Sequence, residues 1–252
     1  MAACHQAACE TFALPGGGLV RLRQSARVAD GLGGRVWGAA PLLVALLGGD
    51  AALRSALGGA SVLELGAGAG LAGLAARQLG AARVTLTDAG APQLALLRQN
   101  AALNAPTPTA SSCHDEHAER DGVRVRHLDW DAPPGASCGD APDTPLPREE
   151  RFGLVIAADV LYEPAHAAGV ARAVAARLER TAQARALLVC PVRCAATAAA
   201  FEARAAVEGL ACDRQRLPDG DGAERYEGGY ARFDLRWQTE RLLPDEGDEG
   251  AA

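Results

Sequence analysis

Three glycines in five residues, Gly66, Gly68 and Gly70, follow directly on the apolar run Val62-Leu63-Glu64-Leu65. A strand that hands over to a helix through such a turn lets a ligand come close to the backbone, because no Cβ intervenes. Asp88 lies roughly 20 residues further on, at the end of a second apolar run, where its carboxylate can accept both hydroxyls of a ribose. These residues alone leave the ligand open, since Gly68, Gly70 and Gly73 also satisfy the G-x-G-x-x-G of a dinucleotide site. Glu64 tips the balance. A pyrophosphate gains nothing from an anion two residues before the first glycine. The cationic amino end of S-adenosylmethionine does gain from it, or the carboxylate can fix the loop around that cofactor.

A second constellation is Ala158-Asp159-Val160-Leu161-Tyr162, into which the apolar run ending at Ala157 leads. Ligands of open α/β sheets lie beyond the carboxyl ends of the strands, where strand order reverses, so Asp159 is expected beside the glycine turn. Its carboxylate can hold an amine by hydrogen bonding, and Tyr162 can offer a hydroxyl or a ring face to a cationic amine. Asp159 could equally cap a helix beginning near Pro164.

The elements that must position these residues alternate. Strands are expected at Leu19 to Arg23, Val62 to Leu65, Val84 to Thr87, Val123 to Leu128, Phe152 to Ala157 and Ala186 to Cys190. Helices are expected at Ala39 to Leu47, Leu71 to Leu79, Pro92 to Leu103, Ala165 to Leu178 and Ala195 to Glu208. That alternation means a parallel, doubly wound α/β sheet. Residues 1–35 read as an N-terminal extension with a short strand and 36–243 as a single catalytic domain. Segments 105–122 and 133–150 lack periodicity and read as loop insertions, and 244–252 as an acidic disordered tail.

Composition narrows the classes. The 252-residue chain carries 31 acidic against 25 basic residues, a net charge of −6, so nucleic-acid binding by bulk charge is not expected. All of the basic residues are arginine, and the only asparagines are Asn100 and Asn104, a pattern expected of GC-rich coding. Seven cysteines without a C-x-x-C pair and an N-terminus without a basic region point to a reducing compartment, cytoplasmic or nuclear. The apolar stretches are too short for a bilayer, and a monomer is expected. Cys113, His114, His117 and Cys138 lie in the insertions without metal-site spacing, so no metal is expected.

Together these motifs resemble the seven-strand methyltransferases of family 16, the protein-lysine methyltransferases marked by D-x-x-Y. The resemblance runs from about Leu19 to Leu217. It rests on Val36-Trp37-Gly38-Ala39-Ala40, Glu64-Leu65-Gly66-Ala67-Gly68-Ala69-Gly70-Leu71, Thr87-Asp88, Leu128-Asp129-Trp130 and Ala158-Asp159-Val160-Leu161-Tyr162, in that order. It implies a Rossmann-like, mostly parallel seven-stranded sheet with helices on both faces, and S-adenosylmethionine as cofactor. By the same resemblance, Trp37 lies near the cofactor, Gly66, Ala67 and Gly68 line its methionine part, Asp88 takes the ribose and Trp130 packs by the adenine. Ala158 supplies backbone beside the cofactor, while Asp159 and Tyr162 face the acceptor nitrogen.

The expected activity is methyl transfer to a protein side-chain nitrogen, lysine first. A small-molecule, arginine or histidine methyltransferase on the same fold is the nearest rival, ahead of a nicotinamide-dependent oxidoreductase and a non-catalytic scaffold. His127 and His166 read as structural, and Cys190 and Cys194 as packing residues. Arg193 reads either as a partner for an acidic group near the site or as a solvated surface cation.

Overall fold

The computed structural model describes residues 9–26, 33–105, 122–130, 132, 144–218, 226 and 228–242. The chain opens with an antiparallel hairpin, β1 (Cys9–Ala13) and β2 (Leu19–Arg23). Helices α1 (Ala39–Gly49) and α2 (Ala51–Leu57) follow, and then the alternating series begins. It runs β3 (Ser61–Leu65), α3 (Leu71–Gln78), β4 (Arg83–Asp88), α4 (Ala91–Asn104), β5 (Val123–His127), β6 (Leu154–Ala158), α5 (His166–Arg177), β7 (Arg185–Pro191), α6 (Ala195–Val207), β8 (Leu210–Leu217) and β9 (Tyr230–Trp237).

Seven strands form one sheet in the order β5-β4-β3-β6-β7-β9-β8. The first five are parallel and β9 is antiparallel to both of its neighbours. From β3 the chain steps outward to β4 and β5, then returns to lay β6 on the other side of β3. The reversal therefore falls between β3 and β6, at whose ends the glycine turn and Asp159 lie.

The alternation of side chains along β3 assigns each residue to a face. Val62 joins the core under α1 to α4, whereas Leu63 and Leu65 join the core under α5 and α6. Glu64 shares the parity of Val62 and so points toward α3. The five strands expected in the sheet all appear within a few residues of their expected limits; β8 and β9 were not among those expected, although Ala231, Phe233, Leu235 and Trp237 alternate with Arg232, Asp234 and Arg236 along β9. β8 is an edge strand, mostly exposed, and its polar run Asp213 to Arg216 reflects that position.

Two departures from the sequence reading concern the periphery. Strand β1 was not anticipated; its burial pattern is almost uniformly exposed because it pairs only with β2. The hairpin is nonetheless held fast through β2, with Val20 and Leu22 buried in the same core as Leu43 and Val62. Helix α2 was also missed. It starts at Asp50, whose carboxylate accepts from the N–H groups of Ala52 and Leu53 at 2.9 and 3.1 Å, an N-cap that interrupts one apolar stretch and makes two helices of it.

The expected insertion 133–150 is described only from Thr144, and there it is packed. Leu146 is buried, its N–H donates to His127 O at 3.0 Å, and His127 N–H donates to Thr144 O at 3.1 Å. This segment extends the β5 edge of the sheet. Arg177 on α5 donates to the carbonyls of Pro147 and Arg148, which ties the segment to the helix whose core Leu146 shares. Most of the insertion 105–122, the cysteines and histidines within it, Cys138 and the tail 244–252 lie outside the described residues. Among the described residues no single helix is long and apolar enough to cross a membrane; α1 and α2 reach that length only together, across an 88° bend.

Candidate active site

A cavity of about 540 Å³ opens at the carboxyl ends of β3, β4 and β6, within the size range of small-molecule and cofactor sites. All ten residues singled out from the sequence line it: Trp37, Glu64, Gly66, Ala67, Gly68, Asp88, Trp130, Ala158, Asp159 and Tyr162. They come from five separate stretches of chain, brought together because each lies at or just beyond the same end of the sheet.

The floor is the turn after β3. Gly66 and Gly68 adopt φ of 58° and 54°, the left-handed region that side chains disfavour. A Cβ on Gly66 would come within 2.6 Å of the Trp130 ring, and one on Gly68 within 3.3 Å of Gly33 O. The glycines thus let the tryptophan close over the turn from one side and the segment before α1 from the other.

Glu64 is almost wholly buried, and Oε2 accepts the N–H of Gly73 at 2.8 Å. Of the two roles open to it, the geometry shows the one that fixes the loop: the carboxyl group ties β3 to the first turns of α3. Burial pushes it up to about 8, helped by the like charge of Asp88 and opposed by the Gly73 hydrogen bond. Its backbone is held too, since Thr87 Oγ1 donates to Glu64 O at 2.6 Å.

Asp88 ends β4. Its Oδ2 accepts from Gly68 N–H at 3.0 Å and its Oδ1 from Ala89 N–H at 2.9 Å. Burial raises its pKa, against the pull of backbone N–H groups from Gly68, Ala89 and Gly90. A carboxylate so held presents its remaining lone pairs to the cavity.

Asp159 takes up the first position past β6. Its N–H donates to Val189 O at 2.9 Å, continuing the β6–β7 ladder, and the residue has φ 58°, the one positive value among described non-glycine residues. It does not cap α5: that helix is preceded by Ala165, and no side chain caps it. Instead the carboxylate is gripped by Arg193, with Nη1 to Oδ1 at 2.6 Å and Nη2 to Oδ2 at 3.1 Å. Nη2 also donates to the Tyr226 hydroxyl at 3.2 Å, and the guanidinium lies 4.7 Å from the centre of that ring.

Two further residues are Arg193, which the sequence leaves open between a site partner and a surface cation, and His166, which it reads as structural. Both line the cavity. The signal for Arg193 was its place two residues past β7, whose end lies beside that of β6 once the two are paired. His166 packs edge-on to Tyr162 at 4.3 Å and to Trp130 at 6.4 Å between ring centres, so three aromatic side chains wall one side. Tyr162 is 45% exposed and stands at the mouth. Cys190 is buried under Asp159, its thiol pushed up to about 12 by burial first and by that carboxylate second, while Cys194 is exposed at the start of α6.

A model of the lysine methyltransferase family matches residues 20–193. The chain belongs to this family. No curated protein matches the methyltransferase in sequence. Among solved structures it is similar to the ribosomal protein L11 methylase of Lactobacillus delbrueckii subsp. bulgaricus, at 14% identity, 74% coverage of each chain and a TM-score of 0.47. It is also similar to TrmN from Thermus thermophilus, at 18% identity, 74% coverage of this chain and 48% of that one, and a TM-score of 0.48. A third is the CcbJ methyltransferase of Streptomyces caelestis, at 17% identity, 74% and 93% coverage and a TM-score of 0.48.

The cofactor of the methyltransferase is S-adenosylmethionine. The residues present fit it: a glycine cradle that excludes Cβ atoms, a fixed carboxylate at the end of β4 and an aromatic ring across the turn, all facing one cavity.

Proposed function

We propose that the acceptor of this methyltransferase is the ε-amine of a lysine in another protein. The observation that carries the reading is the shape of the acceptor end. Tyr162 is exposed at the mouth while the Asp159 side chain is only 8% exposed beneath it, and both line the cavity that Ala158 borders. An exposed aromatic and a nearly buried carboxylate lining the same cavity suit a long, flexible chain ending in an amine, presented from outside.

Bound S-adenosylmethionine supplies a methyl group on a sulfonium, open to attack by a nitrogen lone pair. The protein's part is to align that nitrogen and to receive it without its extra proton. A lysine ammonium has an ordinary pKa near 10.4, so at neutral pH the free amine is scarce until the pocket shifts the balance. Asp159 accepts a hydrogen bond from the amine and fixes its direction, the Tyr162 hydroxyl and ring border the entering chain, and the Trp130 and His166 rings exclude water. Asp88 and the turn at Gly66 to Gly68 hold the cofactor, with Trp37 and Ala158 on either side.

Transfer of labelled methyl from S-adenosylmethionine into a lysate of the source cell tests the proposal at the level of substrate class. Label in protein, lost with Asp159→Asn, is the expected result. Label confined to RNA or to the small-molecule fraction would overturn it.

A further inference from the structure

The Asp159 carboxylate already has a cation. Both of its oxygens are engaged by the Arg193 fork, a bidentate geometry that fixes orientation as well as charge. Arg193 is itself anchored by the Tyr226 hydroxyl and ring, and Tyr226 packs edge-on to the buried Tyr230 at 5.6 Å. The arginine is therefore built in, and its anchoring residues come from β9, the strand paired with β7, and the segment before it.

We propose that Arg193 is a positioning residue for methyl transfer: it holds Asp159 in place and cancels its charge, so that the site accepts the lysine nitrogen as neutral amine. The inference rests on the proposed amine acceptor. A lone, half-desolvated carboxylate would bind ammonium as an ion pair and hold its proton on, the wrong form for attack. A carboxylate paired with guanidinium still accepts a hydrogen bond through its remaining lone pairs, without favouring the extra proton.

The other charged and titratable groups around the acceptor end do not replace this pairing. Glu163 and Asp129 line the cavity and are themselves acidic, His166 packs edge-on among aromatic rings, and Arg35 stands over Trp37 with its guanidinium 5.4 Å from the ring centre. Cys190 beneath Asp159 stays a neutral thiol through the physiological range. Arg193 stays charged: burial works against it, but the hydrogen bonds and charge of Asp159, with Tyr226, raise its pKa above the ordinary value.

The test compares the pH dependence of kcat for wild type, Arg193→Gln and Arg193→Lys on the protein band labelled by the wild-type enzyme, alongside binding of S-adenosylhomocysteine. With Arg193→Gln the alkaline rise in rate should move up by about one pH unit or more, the size of shift an adjacent uncompensated charge produces. The rate at pH 7.5 should then fall about tenfold or more and recover toward pH 9.5, while S-adenosylhomocysteine affinity stays within about twofold. Arg193→Lys, which keeps the charge, should hold the wild-type profile at a lower plateau. A second readout needs no acceptor: carbodiimide labelling of Asp159, mapped by mass spectrometry, should increase in Arg193→Gln and not in Arg193→Lys. A loss of equal size at every pH, or an unchanged rate, would overturn the proposal. Label on a nitrogen other than lysine's in the wild-type product would count against the acceptor instead.

Discussion

The side-chain amide of Asn100 donates to the carbonyl of Ala69 at 2.9 Å, and so links the glycine turn to the helix that holds the N-terminal hairpin. The same side chain accepts from Arg23 N–H at 2.8 Å and donates to Arg23 O at 3.0 Å. One turn later Asn104 repeats the pairing with Arg21, accepting from its N–H at 2.9 Å and donating to its carbonyl at 2.7 Å. Two carboxamides on one face of α4 thus complete the open edge of β2 as a third strand would. They are the chain's only two asparagines.

Asn100→Ala should lower unfolding free energy by about 3 kcal/mol, since buried backbone groups on both sides lose their partners. It should also weaken S-adenosylhomocysteine binding, because Ala69 loses its anchor. Asn104→Ala, which removes bonds to Arg21 and to the Asn100 carbonyl but none to the glycine turn, should cost stability without that loss. Chemical denaturation and calorimetry on the two variants check the contrast.

Gly66→Ala should reduce cofactor affinity at least tenfold. The new methyl would sit 2.6 Å from the Trp130 ring and 3.1 Å from Val160 Cγ1, on a backbone with φ 58°, so the turn or the tryptophan must move. A titration with S-adenosylhomocysteine reads the effect directly, and wild-type affinity would show that the turn tolerates the change.

Glu64 makes the protein without cofactor less stable as pH rises. Its folded pKa of about 8 lies above the roughly 4.3 of an unfolded glutamate, so between those values the folded chain holds a proton the unfolded chain has released. Stability is then lost across that window, fully so above about pH 8. Glu64→Gln keeps an acceptor for Gly73 N–H and removes the charge. It should match wild type near pH 5 and exceed it near pH 8.5 by on the order of a few kcal/mol, as measured by urea unfolding at both values.

Much of this architecture was legible in the chain because strong periodicity and ligand chemistry coincide. The central parallel strands β3, β6 and β7 are largely apolar on both faces, helices separate most of the strands, and the glycines, Asp88 and Asp159 stand where strands end. Of the elements that escaped, only β9 had a local signal, the alternation from Ala231 to Trp237. β1 gains its order only from β2, α2 is hidden inside an apolar stretch until Asp50 caps it, and β8 is an edge strand with a polar sequence. Arg193 stood out by its place just after the fifth expected strand, but whether it meets an acidic partner or solvent depends on which strands lie side by side, and the pairing of β6 with β7 brings it to Asp159. Asn100 and Asn104 were conspicuous by rarity, yet rarity alone could not say that they face a strand edge.

Asp159→Asn should separate acceptor chemistry from cofactor capture. Asparagine tolerates the left-handed backbone better than other side chains and keeps the size, so the fold should persist. Turnover should fall about a hundredfold or more, as expected for loss of a positioned group, with S-adenosylhomocysteine affinity little changed. A parallel loss of cofactor binding would assign Asp159 to the cofactor instead.

The most direct measurement is the identity of the methylated atom. Mass spectrometry of the protein labelled by the wild-type enzyme with S-adenosylmethionine should place the added methyl on a lysine ε-nitrogen, and Asp159→Asn should abolish it. Methyl found on arginine, on histidine or on a non-protein molecule would contradict the assignment of the acceptor.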